Sequence, residues 1–268
     1  MITKIRKLLV LLLKKWPPLY HFAANVHSTL RPLHLMELLL GTRVREKEWA
    51  TRHLRKGNDW NNKRYSDEED EWVLSYWDSR NHSHRSLLLE KIAAFSPISS
   101  ILEIGCNCGP NVHLIAQKFP GIKIQGIDIN PVAIQKGNEL FASEGISNVR
   151  LSVAKADELE QFQDKSFDVV FTDAVLIYIG QDKIQGIIKE IVRVARKGLI
   201  LVERHFFDSK NDDPNGFGIR RHSIWQRDYV ALLKQFIPEG QICVTKITED
   251  MWPDTGWQEA GAIIEATL

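Results

Sequence analysis

Apolar residues recur along this chain in two rhythms that alternate. Ile101, Leu102 and Ile104 make a short unbroken run ending at Gly105, the pattern of a strand buried on both faces. Residues 111–119 then take up helical spacing behind Pro110, a residue suited to the first turn of a helix. Further strand-like runs fall at 122–127, 149–153, 167–172 and 199–203, with helical stretches at 131–143 and 182–195 between them. After a helix over 223–236, runs at 242–247 and 262–266 are expected to close the sheet as an antiparallel pair. The pattern predicts an α/β fold with a doubly wound, mostly parallel sheet of seven strands.

Upstream, Trp72, Val73, Tyr76 and Trp77, then Leu87 to Leu89 and Ile92, have the spacing of helices leading into the first strand. Before them the rhythm changes. Residues 2–16 place Ile5, Leu8, Leu9, Leu12, Leu13 and Trp16 on one helical side with lysines flanking it, and Leu30 to Leu40 suggest a second apolar helix stopping at Gly41. The acidic run Asp67–Glu71 marks a boundary between a basic helical N-terminal extension, 1–66, and a domain over 67–268.

Composition changes this picture in three places. At 44% hydrophobic and 26% charged, 268 residues support one sizeable core plus an appendage and exclude a disordered chain. Residues 1–56 hold twelve Lys and Arg against three Glu, a net of +9, so the remainder is net −8. An acidic catalytic region argues against a nucleic-acid substrate, because phosphate-tracking surfaces need clustered cations. The basic helix is read as a membrane-surface or partner-docking element, as a helix packed on the domain, or as a secretion or anchor signal. Its apolar run is far shorter than the roughly 20 residues a bilayer span needs. Residues 1–56 are expected to be dispensable for cofactor binding. Cys106 and Cys108 lie too close together for an unstrained disulfide and read as reduced packing residues of a cytoplasmic protein.

The chemistry concentrates where the first strand breaks. Gly105 and Gly109 permit backbone geometry and close ligand approach that a Cβ would obstruct. Glu103 ends the strand, and Asp128 ends the next one about 20 residues on, the spacing at which a carboxylate accepts hydrogen bonds from both hydroxyls of a ribose. A nicotinamide-dinucleotide site would want glycines at 107 and 110, which hold Asn and Pro.

The segment Glu103-Ile-Gly-Cys-Asn-Cys-Gly109, followed by Asp128, resembles the first two motifs of the class I S-adenosylmethionine-dependent methyltransferases. Asn107 replaces the middle glycine, as in a variant found among methylases of surface-sugar biosynthesis. The resemblance covers about 85–268. It implies a Rossmann-like fold, S-adenosyl-L-methionine as cofactor, and a cofactor site of Glu103, Gly105, Cys106, Asn107, Gly109, Asp128 and Ile129. In such enzymes the loop after the third strand meets the adenine, which points to Ala156 and Asp157, with Glu158 an equal chemical alternative. Phe167 to Tyr178 resembles the fourth motif, whose strand end, Thr172, Asp173 and Ala174, lies beside the methyl group. An arginine from an N-terminal flap reaches the methionine carboxylate in similar enzymes, which points to Arg80.

Methylating a hydroxyl calls for a general base as well as positioning. His205, just past the fifth strand and near neutral in pKa by default, is the expected base, with Tyr178 touching substrate. The turn-rich stretch 208–222 is expected to close over the acceptor. The expected activity is methyl transfer to a hydroxyl of a small molecule or glycan. RNA or protein methylation and a noncatalytic cofactor-binding subunit are the alternatives.

Overall fold

The computed structural model describes residues 41–51, 71–207, 216–221, 224–238 and 241–268. Five strands, β1 Ser100–Ile104, β2 Lys123–Asp128, β3 Val149–Val153, β4 Phe167–Asp173 and β5 Ala195–Arg204, pair in parallel in the order β3-β2-β1-β4-β5. A short hairpin, β6 Ile219–Arg221 and β7 Ile224–Gln226, stands apart from them. The main sheet is completed by β8 Ile242–Lys246 and β9 Gly261–Thr267, with β9 antiparallel to both β5 and β8. The expected seven-stranded, mostly parallel sheet is therefore the observed one.

Eight α-helices are described: α1 Arg43–Ala50, α2 Glu71–Asp78, α3 Ser83–Ala93, α4 Pro110–Lys118, α5 Pro131–Ser143, α6 Ile184–Val194, α7 Tyr229–Leu233 and α8 Thr255–Ala260. Alternation along each strand sends neighbouring side chains to opposite faces. Ile101, Val169, Phe171, Ile200 and Val202 join one buried cluster with residues of α2 to α5, whereas Leu102, Ile104, Val170, Leu199 and Leu201 join the other with α6 and α7. Both faces are thus covered, which is why these strands read as unbroken apolar runs. The chain winds from β1 outward to β3, then returns to the other side of β1 with β4. That reversal opens a crevice at the carboxyl ends of β1 and β4.

Two sequence expectations are corrected. Residues 224–226 are a strand rather than the start of a helix, and the helix that follows begins only at Tyr229, where Asp228 caps it: its Oδ1 accepts from the Ala231 amide at 3.0 Å. The N-terminal extension also contributes a helix, α1, that the pattern missed. Residues 2–16, most of the loop 208–222 and the apolar stretch to Leu40 lie outside the described residues. No helix among the described residues is long and apolar enough to cross a membrane.

Candidate active site

The turn after β1 is built from residues that leave the usual backbone regions. Gly105 has φ +77, and a Cβ there would meet Val175 Cγ2 at 2.2 Å. Asn107 has φ +51, a region Asn tolerates better than most residues, and its Oδ1 accepts from the Cys108 amide at 2.7 Å. Gly109, φ +88, precedes α4 and packs against the Phe141 ring, where a Cβ would approach to 2.8 Å. Asp128 ties this turn to the next: one oxygen accepts from the Asn107 amide at 2.9 Å and the other from the Asn130 amide at 2.8 Å. Burial raises its pKa and those amides oppose the shift.

Behind the turn lies a buried polar group. Asn111 Nδ2 donates to Glu103 Oε1 at 2.8 Å and to Asp173 Oδ2 at 3.0 Å. Arg85 donates to Asn111 Oδ1 at 2.6 Å and to Asp173 Oδ2 at 3.3 Å, and His84 Nε2 lies 2.9 Å from the same Asp173 oxygen. Burial alone would raise the Asp173 pKa, but His84, Arg85 and Asn111 outweigh it and hold the carboxyl well below its usual range. Glu103 has less help: burial pushes it up to about 8 despite the Asn111 hydrogen bond. Two buried oxygens of this group, Glu103 Oε2 and Asp173 Oδ1, make no hydrogen bond.

The loop after β4 is held rigidly. Ala174 sits at φ +58, a conformation costing an alanine on the order of 1 kcal/mol. Glu203 receives the amides of Val175, Leu176 and Ile177 and the Thr172 hydroxyl, at 2.8–3.1 Å. From the other side the buried Arg227 guanidinium donates to the carbonyls of Leu176 and Ile179. The single turn Leu176–Tyr178 is clamped through both its amides and its carbonyls, which fixes Tyr178 over the crevice.

A strap closes the outer side. The Thr42 amide and hydroxyl donate to Asp182, the hydroxyl at 2.6 Å, and Lys183 bridges Glu46 of α1 to Asp157, the latter at 2.6 Å. Asn130 Nδ2 reaches the Trp49 carbonyl at 2.8 Å, and the Trp49 ring lies 4.8 Å from that of Tyr178. The result is a cavity of about 340 Å³ at the carboxyl edge of β1, β2 and β4.

Residues 96–251, more than half of the chain, match a protein family described as a methyltransferase domain. The chain belongs to that family, the class I S-adenosylmethionine-dependent methyltransferases. An uncharacterized protein of Haemophilus influenzae is 26% identical over 62% of this methyltransferase and 59% of its own length. Tocopherol O-methyltransferase of Arabidopsis thaliana is 33% identical over 38% of the chain, and a sterol 4-C-methyltransferase of Caenorhabditis elegans 39% identical over 36%; each match spans 28% of the relative. The chain thus matches less than two thirds of the length of these relatives. Among solved structures, a geranyl diphosphate methyltransferase in complex with its S-adenosylmethionine cofactor superposes with a TM-score of 0.53, at 14% identity, over 79% of this chain and 96% of that one. The [4+2]-cyclase SpnF superposes at 0.52, at 18% identity, over 80% of this chain and 86% of its own. The last two share the fold.

The structure brings most of the expected residues to the methyltransferase cavity. Gly105, Asn107, Asp128, Ile129, Ala156, Asp157, Asp173 and Tyr178 all line it. Asp157 rather than Glu158 faces it; Glu158 turns back to accept from the Lys155 amide at 2.9 Å. Glu103, Cys106 and Gly109 stand behind the wall, Cys106 with its sulfur against Gly126.

Three expectations are corrected. Arg80 points away: its guanidinium lies over the Trp77 ring at 4.3 Å and 3.4 Å from Glu144, while Arg85, five residues on, enters the wall instead. His205 is not part of the lining either. Only 5% exposed, it accepts from the Tyr229 amide through Nδ1 at 3.2 Å, joining the end of β5 to the start of α7. Burial lowers its pKa. The expected dispensability of residues 1–56 also needs revision, since Thr42, Arg45, Glu46 and Trp49 line the cavity.

The walls fit an S-adenosylmethionine. Trp72 Nε1 is a buried donor in the lining without a partner, and Asp173 Oδ1 a buried acceptor without one. A carboxylate and an ammonium on one ligand complement that pair. Asp128, which lines the cavity, is an acceptor-only carboxylate when ionised and can take a ligand hydroxyl beside its backbone donors.

Proposed function

We propose that the protein methylates a hydroxyl on a small, largely apolar acceptor. The observation that carries this reading is the aromatic lining: Trp49, Trp72, Tyr76, Tyr178, Trp252 and Trp257 all face one cavity. Its volume, about 340 Å³, is that of a small-ligand site. Aromatic walls exclude water and hold flat or branched apolar bodies, which favours such an acceptor over a glycan. The tocopherol O-methyltransferase and sterol 4-C-methyltransferase, to which the chain is similar by sequence, are named for apolar acceptors, which supports the apolar part of this reading; only the first is named for methylation on oxygen.

The bound cofactor supplies an electrophilic methyl carbon on a sulfonium. The protein's own residues do the rest. The β1 turn and Asp128 hold the ligand's backbone-facing side, Trp72 and Asp173 receive its charged end, and the clamped turn with Tyr178 fixes where the acceptor stands. Such positioning in a dry site supplies most of the rate in a displacement that needs little covalent help.

The full-length protein, given methyl-labelled S-adenosylmethionine and a pool of apolar phenols and alcohols alongside free sugars and RNA, should place label in the phenol and alcohol fraction as methyl ethers. Label confined to sugars, to RNA or to carbon would contradict the proposal.

A further inference from the structure

Three rings on the cavity wall lie in nearly parallel planes. His84 stacks on Trp252 with centroids 4.0 Å and planes 19° apart, and Trp252 stacks on Trp257 at 4.1 Å and 10°. No ring contact joins His84 to Trp257 among the described residues, so the two cover opposite faces of Trp252 and Trp257 is the outer plane. Three separate elements supply the rings: His84 comes from α3, Trp252 from the connection after β8, and Trp257 from α8. Each is fixed. His84 Nε2 lies 2.9 Å from Asp173 Oδ2, the Trp252 amide donates to the Thr248 carbonyl at 2.9 Å, and Asp254 Oδ1 accepts from the Trp257 amide at 3.0 Å. His82, extended at φ −67 and ψ 134 just before α3, adds a fourth ring, edge-on to Trp252 at 5.0 Å.

The stack begins at the carboxyl end of β4, where Asp173 holds His84, and all four rings border the cavity. Trp252 and Trp257 are half-buried, so packing on the core leaves part of each indole to the cavity. A branched or saturated body gains from such a wall only by burying area. A flat aromatic ring gains more, because its edge and face complement the indole quadrupole, which adds roughly 2- to 12-fold in affinity per aromatic pair beyond the area. We infer that the acceptor is a phenol of one or two fused rings whose ring packs against Trp257 as the next member of the stack, and that Trp252 and Trp257 select it over saturated alcohols of the same shape. This rests on the hydroxyl-methylation reading above and names the acceptor class within it.

A phenol also suits the chemistry. Its hydroxyl ionises near pH 10, as that of tyrosine does, against about 15.7 for water, so less help is needed to free the attacking oxygen. The proton passes to water, the O–CH3 bond forms from an oxygen lone pair as the S–CH3 bond breaks, and sulfur keeps the pair of the broken bond and leaves as a neutral thioether.

The test uses the full-length protein saturated with S-adenosylhomocysteine, with 2-naphthol and decahydro-2-naphthol as an aromatic and a saturated probe of one carbon skeleton. Calorimetry should show 2-naphthol binding at least about fivefold more tightly. Trp257→Leu should bring the two within about twofold and Trp257→Phe should keep the preference, whereas a merely structural role would weaken both probes alike and leave their ratio. In the wild-type protein, NMR should show upfield ring-current shifts of the bound 2-naphthol protons and magnetisation transfer to them from the Trp257 indole, a readout that stands even if the leucine variant does not fold. Equal affinities, failure of 2-naphthol to bind, a ratio unchanged in Trp257→Leu, or no transfer from Trp257 overturns the inference. With methyl-labelled S-adenosylmethionine, methyl ether formed from decahydro-2-naphthol in preference to 2-naphthol removes the phenol assignment alone; label found only in sugars, in RNA or on carbon removes the hydroxyl reading with it.

Discussion

Asn107 stands where the family pattern has glycine, and the left-handed turn it occupies explains the exchange: its side chain satisfies the next amide, so no second glycine is needed. At the same scale, Trp72 offers the cavity an indole donor with nothing to bind. Trp72→Phe keeps the ring and removes the donor, so calorimetry should show S-adenosylmethionine binding weakened by about 1.5–3 kcal/mol, the value of a hydrogen bond to a charged group, with the melting temperature nearly unchanged. Glu103 supplies a proton count. Held up at about 8 chiefly by burial, it is mostly protonated at pH 7 in the free protein. A cation placed beside Asp173 favours the carboxylate, so binding should release a proton at pH 7, and affinity should rise as pH climbs from 6 towards 8. Binding heats at pH 7 that are independent of the buffer's ionisation enthalpy would contradict this. The glycine turn and Asp128 were legible in the sequence because a tight left-handed turn and a carboxylate that ties two backbone amides at a strand end restrict residue type. His82, His84 and Arg85 were not, because their meeting depends on a break in the backbone between α2 and α3 that hydrophobic spacing does not encode.

Among elements, the strands were read to within a few residues since burial on both faces leaves an apolar run, but α1 was missed. Its sequence, Arg-Val-Arg-Glu-Lys-Glu-Trp-Ala, has no apolar stripe; it is held by Asp182, Lys183 and Asn130 rather than by a core. Polar docking of this kind leaves no periodic signal. Trp49→Ala removes the strap's indole from the cavity and from Tyr178, and should weaken cofactor or acceptor binding at least threefold in calorimetry and saturation kinetics; unchanged values in both would show that the strap is not part of the site. His205 illustrates the opposite error, a residue at the right edge of the sheet whose side chain turns inward to the amide of Tyr229. His205→Ala leaves that buried amide without its partner and should cost about 1–3 kcal/mol in denaturant unfolding, while the pH dependence of turnover stays that of the wild type.

For the whole molecule, the order of strands predicts the location of the site before any side chain is considered, because the winding reverses between β1 and β4. Fold alone does not choose the reaction: a methyltransferase and a [4+2]-cyclase superpose on this chain about equally well. What chooses it is the set of groups in the crevice, and the central claim is that they hold S-adenosylmethionine. Titrating the full-length protein calorimetrically, without added metal, tests this most directly. S-adenosylmethionine and S-adenosylhomocysteine should each bind at a single site with a dissociation constant on the order of micromolar to millimolar, and NAD should give no heat. Silence with both sulfur ligands, together with saturable binding of NAD, would contradict the account.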